Sequence, residues 1–352
     1  MTREEKSLVD QEVQNLLMKG AIQEVHLSQN HFLSNLFLVP KKGGGHRPVI
    51  NLKKLNTYIH FKMESISLLK ELLRKGDFMC KIDLKDAYLS VPLHQQSQKF
   101  VSFKWGEKLY QFLVLCFGLG PAPRIFTKLM KIPIALMRRL NVRLIIYLDD
   151  CLILGSTAQE VIAARDTLIF ILEHLGFTIN FEKLVLLPTQ LIEFLGLEVD
   201  SINMKLSLPQ EKVEGIISQC QMMLSAEKVS IRDLMKLIGR LSSSAIAVLP
   251  APLQYRAIQR QQIQELASSQ NYDSLVTLTE EVKEELDWWC QNLLLSNGRS
   301  LVQASPLVIA SDASLQGWGG AACKGLKTNG QWSPREQDLH INILELKQPN
   351  WK

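Results

Sequence analysis

Leu144-Ile145-Ile146-Tyr147-Leu148-Asp149-Asp150-Cys151-Leu152-Ile153-Leu154 is the stretch whose reading decides the fold. Two apolar runs, each the length of a buried strand, flank a pair of adjacent carboxylates. The pattern predicts a β-hairpin whose turn presents Asp149 and Asp150 at one edge of a sheet. Two like charges side by side are costly unless a cation neutralises them. No glycine follows them to mark an ordinary Asp-Gly turn. One reading is that the acids merely favour a turn. The other is a divalent-metal site with hard oxygen ligands suited to Mg²⁺, which requires a further carboxylate from a distant strand.

That carboxylate lies upstream. Phe78-Met79-Cys80-Lys81-Ile82-Asp83 reads as a strand ending in an acid, with a lysine two places to either side that offers Asp83 a local ion pair. Asn35 to Pro40 and Pro48 to Leu52 read as a strand and its return. Between them, Lys41-Lys42-Gly43-Gly44-Gly45-His46-Arg47 forms a mobile basic tip. Such a tip is either simply solvated or a lid that closes over a polyphosphate. Residues 4 to 19 show helical spacing stopped by Gly20, and Phe100 to Phe103 with Tyr110 to Val114 read as a hairpin turning near Gly106. Phe117 to Pro123 is a loop of turn formers opening a helix to about Leu140, which Pro133 should kink or interrupt.

Composition bounds the answer. The chain has 352 residues, 46% apolar and 21% charged, which is globular and long enough for two or more cores. Six scattered cysteines form no CxxC pair, which argues against zinc or a disulfide scaffold and for a reducing compartment. No run approaches a membrane span, and the N-terminus does not read as a signal peptide, so an intracellular protein of cytoplasm or nucleus is expected. A net charge of +5 permits a nucleic-acid partner without demanding one.

Taken together, the motifs carry a resemblance. Asp83-x-x-Asp86-Ala87-Tyr88, Phe117-Gly118-Leu119-x-x-Ala122-Pro123-x-x-Phe126 and Tyr147-Leu148-Asp149-Asp150 stand in the order and rough spacing of reverse transcriptases. Leu175-Gly176-Phe177-x-Ile179-Asn180-x-Glu182-Lys183 and Phe194-Leu195-Gly196 continue the pattern. Upstream, His46-Arg47-Pro48-Val49-Ile50-Asn51-Leu52-Lys53-Lys54-Leu55-Asn56 is similar to the fingers hairpin of that family. The chain most resembles retrotransposon enzymes of the DIRS-like group, and Phe117 stands where retroviral enzymes often carry glutamine.

The resemblance implies an α+β right-hand polymerase, with fingers and palm over residues 1–200 and a helical thumb and connection over 201–304. It implies RNA-directed DNA synthesis from dNTPs on an RNA or DNA template with a primer. Asp83, Asp149 and Asp150 would be the catalytic acids and ligands of two Mg²⁺ ions, for which Mn²⁺ may substitute. Lys41, Lys42 and Arg47 would meet the phosphates, and Phe117 and Gly118 would line the nucleotide. Tyr88 would lie under the sugar and exclude a 2′-hydroxyl, and Lys183 would sit near the pyrophosphate. Phe194, Leu195 and Gly196 would begin the primer grip.

Beyond residue 200, Val213–Met223, Ile231–Leu241 and Thr279–Leu295 read as helices, and Gln259 to Gln270 as an exposed helix end or loop. Residues 305–352 resemble the opening of a ribonuclease H domain, an α/β unit whose first acids would be Asp312 and Glu345. The family requires two further aspartates that this chain lacks. A truncated unit of little activity is therefore expected, with the helix face of Ile341 and Leu344 poorly covered. Two rivals remain open: a ribonuclease H-type nuclease acting on RNA–DNA hybrids, and a decayed chain that holds nucleic acid without catalysis.

Overall fold

Arg143–Tyr147 and Asp150–Gly155 form the expected hairpin in the computed structural model, with Tyr147 opposite Asp150. Asp150–Gly155 also pairs antiparallel with Phe78–Lys85, which sets Asp83 directly opposite Asp150. Thr178–Ile179 and Val185–Thr189 both pair with Phe78–Lys85, completing a five-stranded sheet. Met79, Ile82, Leu144, Leu152 and Ile153 are fully buried, as near-continuous apolar strands in a covered sheet should be. The Phe78–Lys85 strand runs two residues past Asp83 rather than ending there. Leu84 donates to the Asp149 carbonyl, and Leu84 and Lys85 pair with Ile179 and Thr178. The acid therefore sits inside a paired strand, where its backbone is fixed.

The structure describes residues 2–26, 31–41, 44–58, 68–182, 184–302, 309–322 and 326–347, so Lys42 and Lys183 lie outside the described residues. Ala122–Arg139 packs under the sheet as one helix, burying Phe126, Met130, Ile134 and Met137. Pro133 does not break it. The carbonyl that proline leaves without a helical donor belongs to Leu129, on the exposed stripe of the helix, where water can serve it. Ala158–His174 packs beside it, capped by Thr157. Leu36–Pro40 and His46–Ile50 form the basic-tipped hairpin, and Arg3–Met18 begins with a capping box between Thr2 and Glu5.

The chain divides into two compact units, residues 1–301 and 302–352. Position 200 lies inside the first unit. Leu191–Phe194, Leu197–Asp200, Lys205–Ser207 and Arg299–Ser300 make one antiparallel sheet that straddles that position. Helices Gln210–Ser225, Ile231–Ser244, Arg256–Ser269 and Glu280–Ser296 close over a separate apolar cluster around Leu234, Leu237, Leu286 and the fully buried Trp289. The glutamine-rich stretch is thus helical to Ser269, exposed at its end as expected but buried at Gln261 and Gln262. Gln261 is buried because its amide donates to the Thr277 carbonyl at 2.7 Å and accepts from the Thr279 amide at 3.2 Å. Trp289 docks the last helix, its indole N–H donating to the Gln254 carbonyl.

One ion pair anchors the bottom of the five-stranded sheet. Arg143 grips Asp77 with both terminal nitrogens at 2.5 and 2.7 Å, and Asp77 is 2% exposed. Removing the arginine strands a buried carboxylate, so Arg143→Ala is expected to cost about 3 kcal/mol or more. Urea unfolding of the two chains measures this difference.

In the second unit, Ile309–Ala313, Gly317–Ala322 and Lys327–Gln331 form an antiparallel meander, followed by the short helix Ile341–Leu346. Leu344 is fully buried, against the expectation that its face would be poorly covered. The helix packs on Ile309–Ala313, and that contact supplies the cover.

Candidate active site

A cavity of about 590 Å³ opens where the five-stranded sheet, the basic hairpin and the 117–123 loop meet. Lys41, Arg47, Asp83, Tyr88, Phe117, Gly118 and Asp149 all line it, so segments up to about a hundred residues apart converge there. Asp150 does not line it. Phe194, Leu195 and Gly196 lie elsewhere in the same unit, at the turn between Leu191–Phe194 and Leu197–Asp200. Leu195 and Gly196 take positive φ of 52° and 71°, and the Gly196 carbonyl accepts from Lys212 Nζ at 2.6 Å.

The hairpin turn consists of Leu148 and Asp149. Leu148 has φ +57°, at the first central position where a two-residue hairpin of this sense uses glycine. A leucine held there is strained, and the pairing on both sides of the turn fixes it. The turn projects Asp149 into the cavity. Burial pushes its carboxyl above the usual range, a local backbone hydrogen bond opposes this, and the charges of Asp150 and Asp83 push it further up. Arg47 partly offsets the repulsion.

The other two acids are held differently. Asp83 is 8% exposed, and its Oδ1 accepts from the Asn180 side-chain amide at 2.7 Å, while its carbonyl accepts from the Asn180 backbone N–H at 2.9 Å. Asp150 Oδ1 lies 3.0 Å from Lys81 Nζ. That oxygen is buried and receives no hydrogen bond, so the ammonium compensates it by charge alone. The local ion pair suggested for Asp83 therefore goes to Asp150 instead. Asn180 stood inside a recognised sequence stretch without a role, and Lys81 only as an ion-pair partner offered to Asp83. The signal that singles them out is cross-strand register, which the linear sequence does not display.

The wall above is aromatic and latched. Tyr88 packs against Phe117 and Phe126 with ring centroids 5.0 and 5.6 Å apart, and its hydroxyl is pushed up to about 12, chiefly by burial. The Arg47 guanidinium stacks over Phe117 at 4.5 Å, which pre-orders a cation at the cavity mouth. Asn56 ties the loop down, donating to the Gly118 carbonyl at 2.9 Å and accepting from the Gly120 amide at 2.8 Å. The Ile50 amide donates to the Phe117 carbonyl at 3.0 Å. Gly118, at φ +106°, lies so close to the Ile50 carbonyl that a Cβ would collide with it.

Residues 39–199 match the family described as reverse transcriptase (RNA-dependent DNA polymerase). That segment, just under half of the chain, is thus similar to a reverse transcriptase domain. The chain is 27% identical over 320 residues to the enzymatic polyprotein of soybean chlorotic mottle virus, covering 88% of this chain and 44% of that protein. Over 145 residues it is 30% identical to Protein P of duck hepatitis B virus, strain DHBV-16, covering 40% of this chain and 17% of that protein. The chain thus spans less than half the length of these relatives. A foamy viral protease-reverse transcriptase in complex with RNA/DNA hybrid superposes with a TM-score of 0.72 at 18% identity, over 98% of this chain and 45% of that one. The same kind of protein with double-stranded DNA gives 0.70 at 19% identity, over 97% and 58%. The fold is that of a right-hand polymerase.

Carboxylate oxygens facing a polar cavity are the donor set that Mg²⁺ prefers. Asp83 and Asp149 meet that test. Among the described residues no three His, Cys, Asp or Glu side chains gather around one point, and Asp150 pairs with Lys81. In the second unit, Asp312 is exposed at the rim of an open cavity of about 480 Å³ with Trp318 and Asn329, and Glu345 lies on the following helix. No helix among the described residues is long and apolar enough to cross a membrane.

Proposed function

We propose that the chain is the RNA-directed DNA polymerase of a retroelement, extending a primer on an RNA or DNA template with dNTPs. The observation that carries this reading is the convergence of Asp83, Asp149, Arg47 and Tyr88 on one cavity. Two Mg²⁺ ions, or Mn²⁺ in their place, held by Asp83 and Asp149 would supply Lewis acidity for phosphoryl transfer and leaving-group neutralisation. Arg47 and Lys41 bring cations to the mouth, where a triphosphate would lie. Gly118 lets the loop backbone approach the nucleotide, and Phe117 holds Arg47 in place. By resemblance Lys183, outside the described residues, would serve the pyrophosphate, and Asp150 would support the acidic pair from its ion pair with Lys81. Phe194, Leu195 and Gly196 support the primer strand. The DIRS-like assignment rests on the motifs, and the reaction suits cytoplasm, nucleus or both.

Primer extension on an RNA template with Mg²⁺ and labelled dNTPs tests the reading. Template-dependent product supports it. Binding of primer–template with no extension under Mg²⁺ or Mn²⁺ would leave only the non-catalytic remnant.

Tyr88, 9% exposed and wedged between Phe117 and Phe126, is the proposed sugar gate. Tyr88→Ala opens space where a 2′-hydroxyl would clash, so ribonucleotide use is expected to rise roughly tenfold or more relative to dNTP. Single-nucleotide extension with dNTP against rNTP reads this ratio, and an active mutant with unchanged preference removes the role.

For residues 302–352, the meander bearing Asp312 supports a ribonuclease H-like start. Two acids fall short of the cluster that two-metal hydrolysis uses. A labelled RNA–DNA hybrid is expected to remain uncut, and cleavage lost in Asp312→Asn would show the pair competent.

A further inference from the structure

Lys81, Asp83 and Asp150 share one face of the sheet. Lys81 and Asp83 are two apart on one strand, and Asp150 stands directly opposite Asp83 on the next. The long lysine side chain therefore reaches Asp150 along the diagonal, a distance that short side chains do not span. It does so at 3.0 Å with both side chains largely shielded, 20% and 23% exposed. Asp83 receives a neutral partner instead, the Asn180 amide. The cluster is thus divided. One acid is compensated by a full charge and kept off the cavity, while two acids face it, one of them held by a neutral donor.

We propose that Lys81 is a positioning residue that ties Asp150 down beside Asp83, so that Asp83 and Asp149 alone present charge to the cavity. Without it, Asp150 would be a half-buried, uncompensated carboxylate beside two others, free to turn toward the cavity and compete for the same cation. Asp150 Oδ1, buried and without a hydrogen bond, depends on that ammonium. The kinetic half of this inference rests on the polymerase reading, and the pairing half does not.

The test uses the full chain and the variants Lys81→Met, Lys81→Arg, Asp150→Asn and the double Lys81→Met/Asp150→Asn. Thermal melting without metal should show Lys81→Met losing about 5 °C, with the double mutant recovering most of it, since no uncompensated charge remains. Added Mg²⁺ should raise the melting temperature of Lys81→Met more than that of the parent. In primer extension, Lys81→Met should lose roughly tenfold to a hundredfold in kcat with dNTP KM nearly unchanged, and Lys81→Arg should recover most of the loss. A Lys81→Met chain too unstable to purify, beside a double mutant that melts normally, is the same coupling in stronger form. Melting losses that simply add in the double mutant, or a double as unstable as Lys81→Met, overturn the pairing. An unchanged kcat in Lys81→Met overturns the positioning role. A parent chain that extends no primer would overturn the polymerase reading instead, while the melting cycle still decides the pairing.

Discussion

Asp83→Asn and Asp149→Asn are each expected to lower primer extension by about a thousandfold or more, with primer–template binding intact. Both side chains line the same cavity, and both would lose the anionic oxygen that a hard divalent cation needs. Asparagine keeps the shape, so the sheet should survive. In Asp83→Asn the Asn180 amide still finds an acceptor if the new amide turns its oxygen toward it. In Asp149→Asn the repulsion among the three carboxylates falls, so the mutant should melt no lower than the parent. Single-turnover extension beside a binding isotherm and a melting curve separates chemistry from folding. Either mutant extending at the parent rate with Mg²⁺ would remove that residue from the site.

Gly118→Ala is expected to cost roughly a hundredfold in extension while leaving the chain folded. Two penalties coincide at this residue. The backbone sits at φ +106°, which a side chain resists, and the new Cβ would meet the carbonyl of Ile50 rather than a flexible side chain. Ile50 ends the basic hairpin and is hydrogen-bonded to Phe117, so relief of the clash must move the hairpin, the loop or both. Arg47 rides on that hairpin and stacks on Phe117, and a shift of about 1 Å there is enough for a loss of this size. Gly176→Ala is the comparison. It also has positive φ, +86°, but a Cβ there meets nothing within 4 Å. It should cost about 1 kcal/mol of stability and little rate. Equal kinetic losses in the two mutants would mean that backbone strain, not the contact with Ile50, sets the effect.

The sequence by itself determined a good deal. Apolar runs ending in acids marked the 143–155 hairpin and the 78–85 strand, and apolar residues at helical spacing marked the helices, because burial of apolar periodicity is a local and strongly patterned demand. Motif order assigned the cavity residues Arg47, Tyr88, Phe117 and Gly118 before any contact was known, and the structure brings them together with Asp83 and Asp149. What the sequence left open depends on register and on partners distant in the chain. Pro133 reads as a helix breaker, yet the helix is continuous, because packing of Phe126, Met130 and Ile134 outweighs one missing hydrogen bond. Around position 200 the strands of one sheet lie up to about a hundred residues apart, a pairing the linear sequence does not display. Gln261 of Arg256–Ser269 is buried because the 277–279 backbone meets its amide. The partner of Lys81 illustrates the reason most directly. Sequence proximity offers it Asp83, but cross-strand pairing delivers it to Asp150. Composition and spacing choose which elements form, whereas only the tertiary structure decides which charges meet, since that is set by register across strands rather than by distance along the chain.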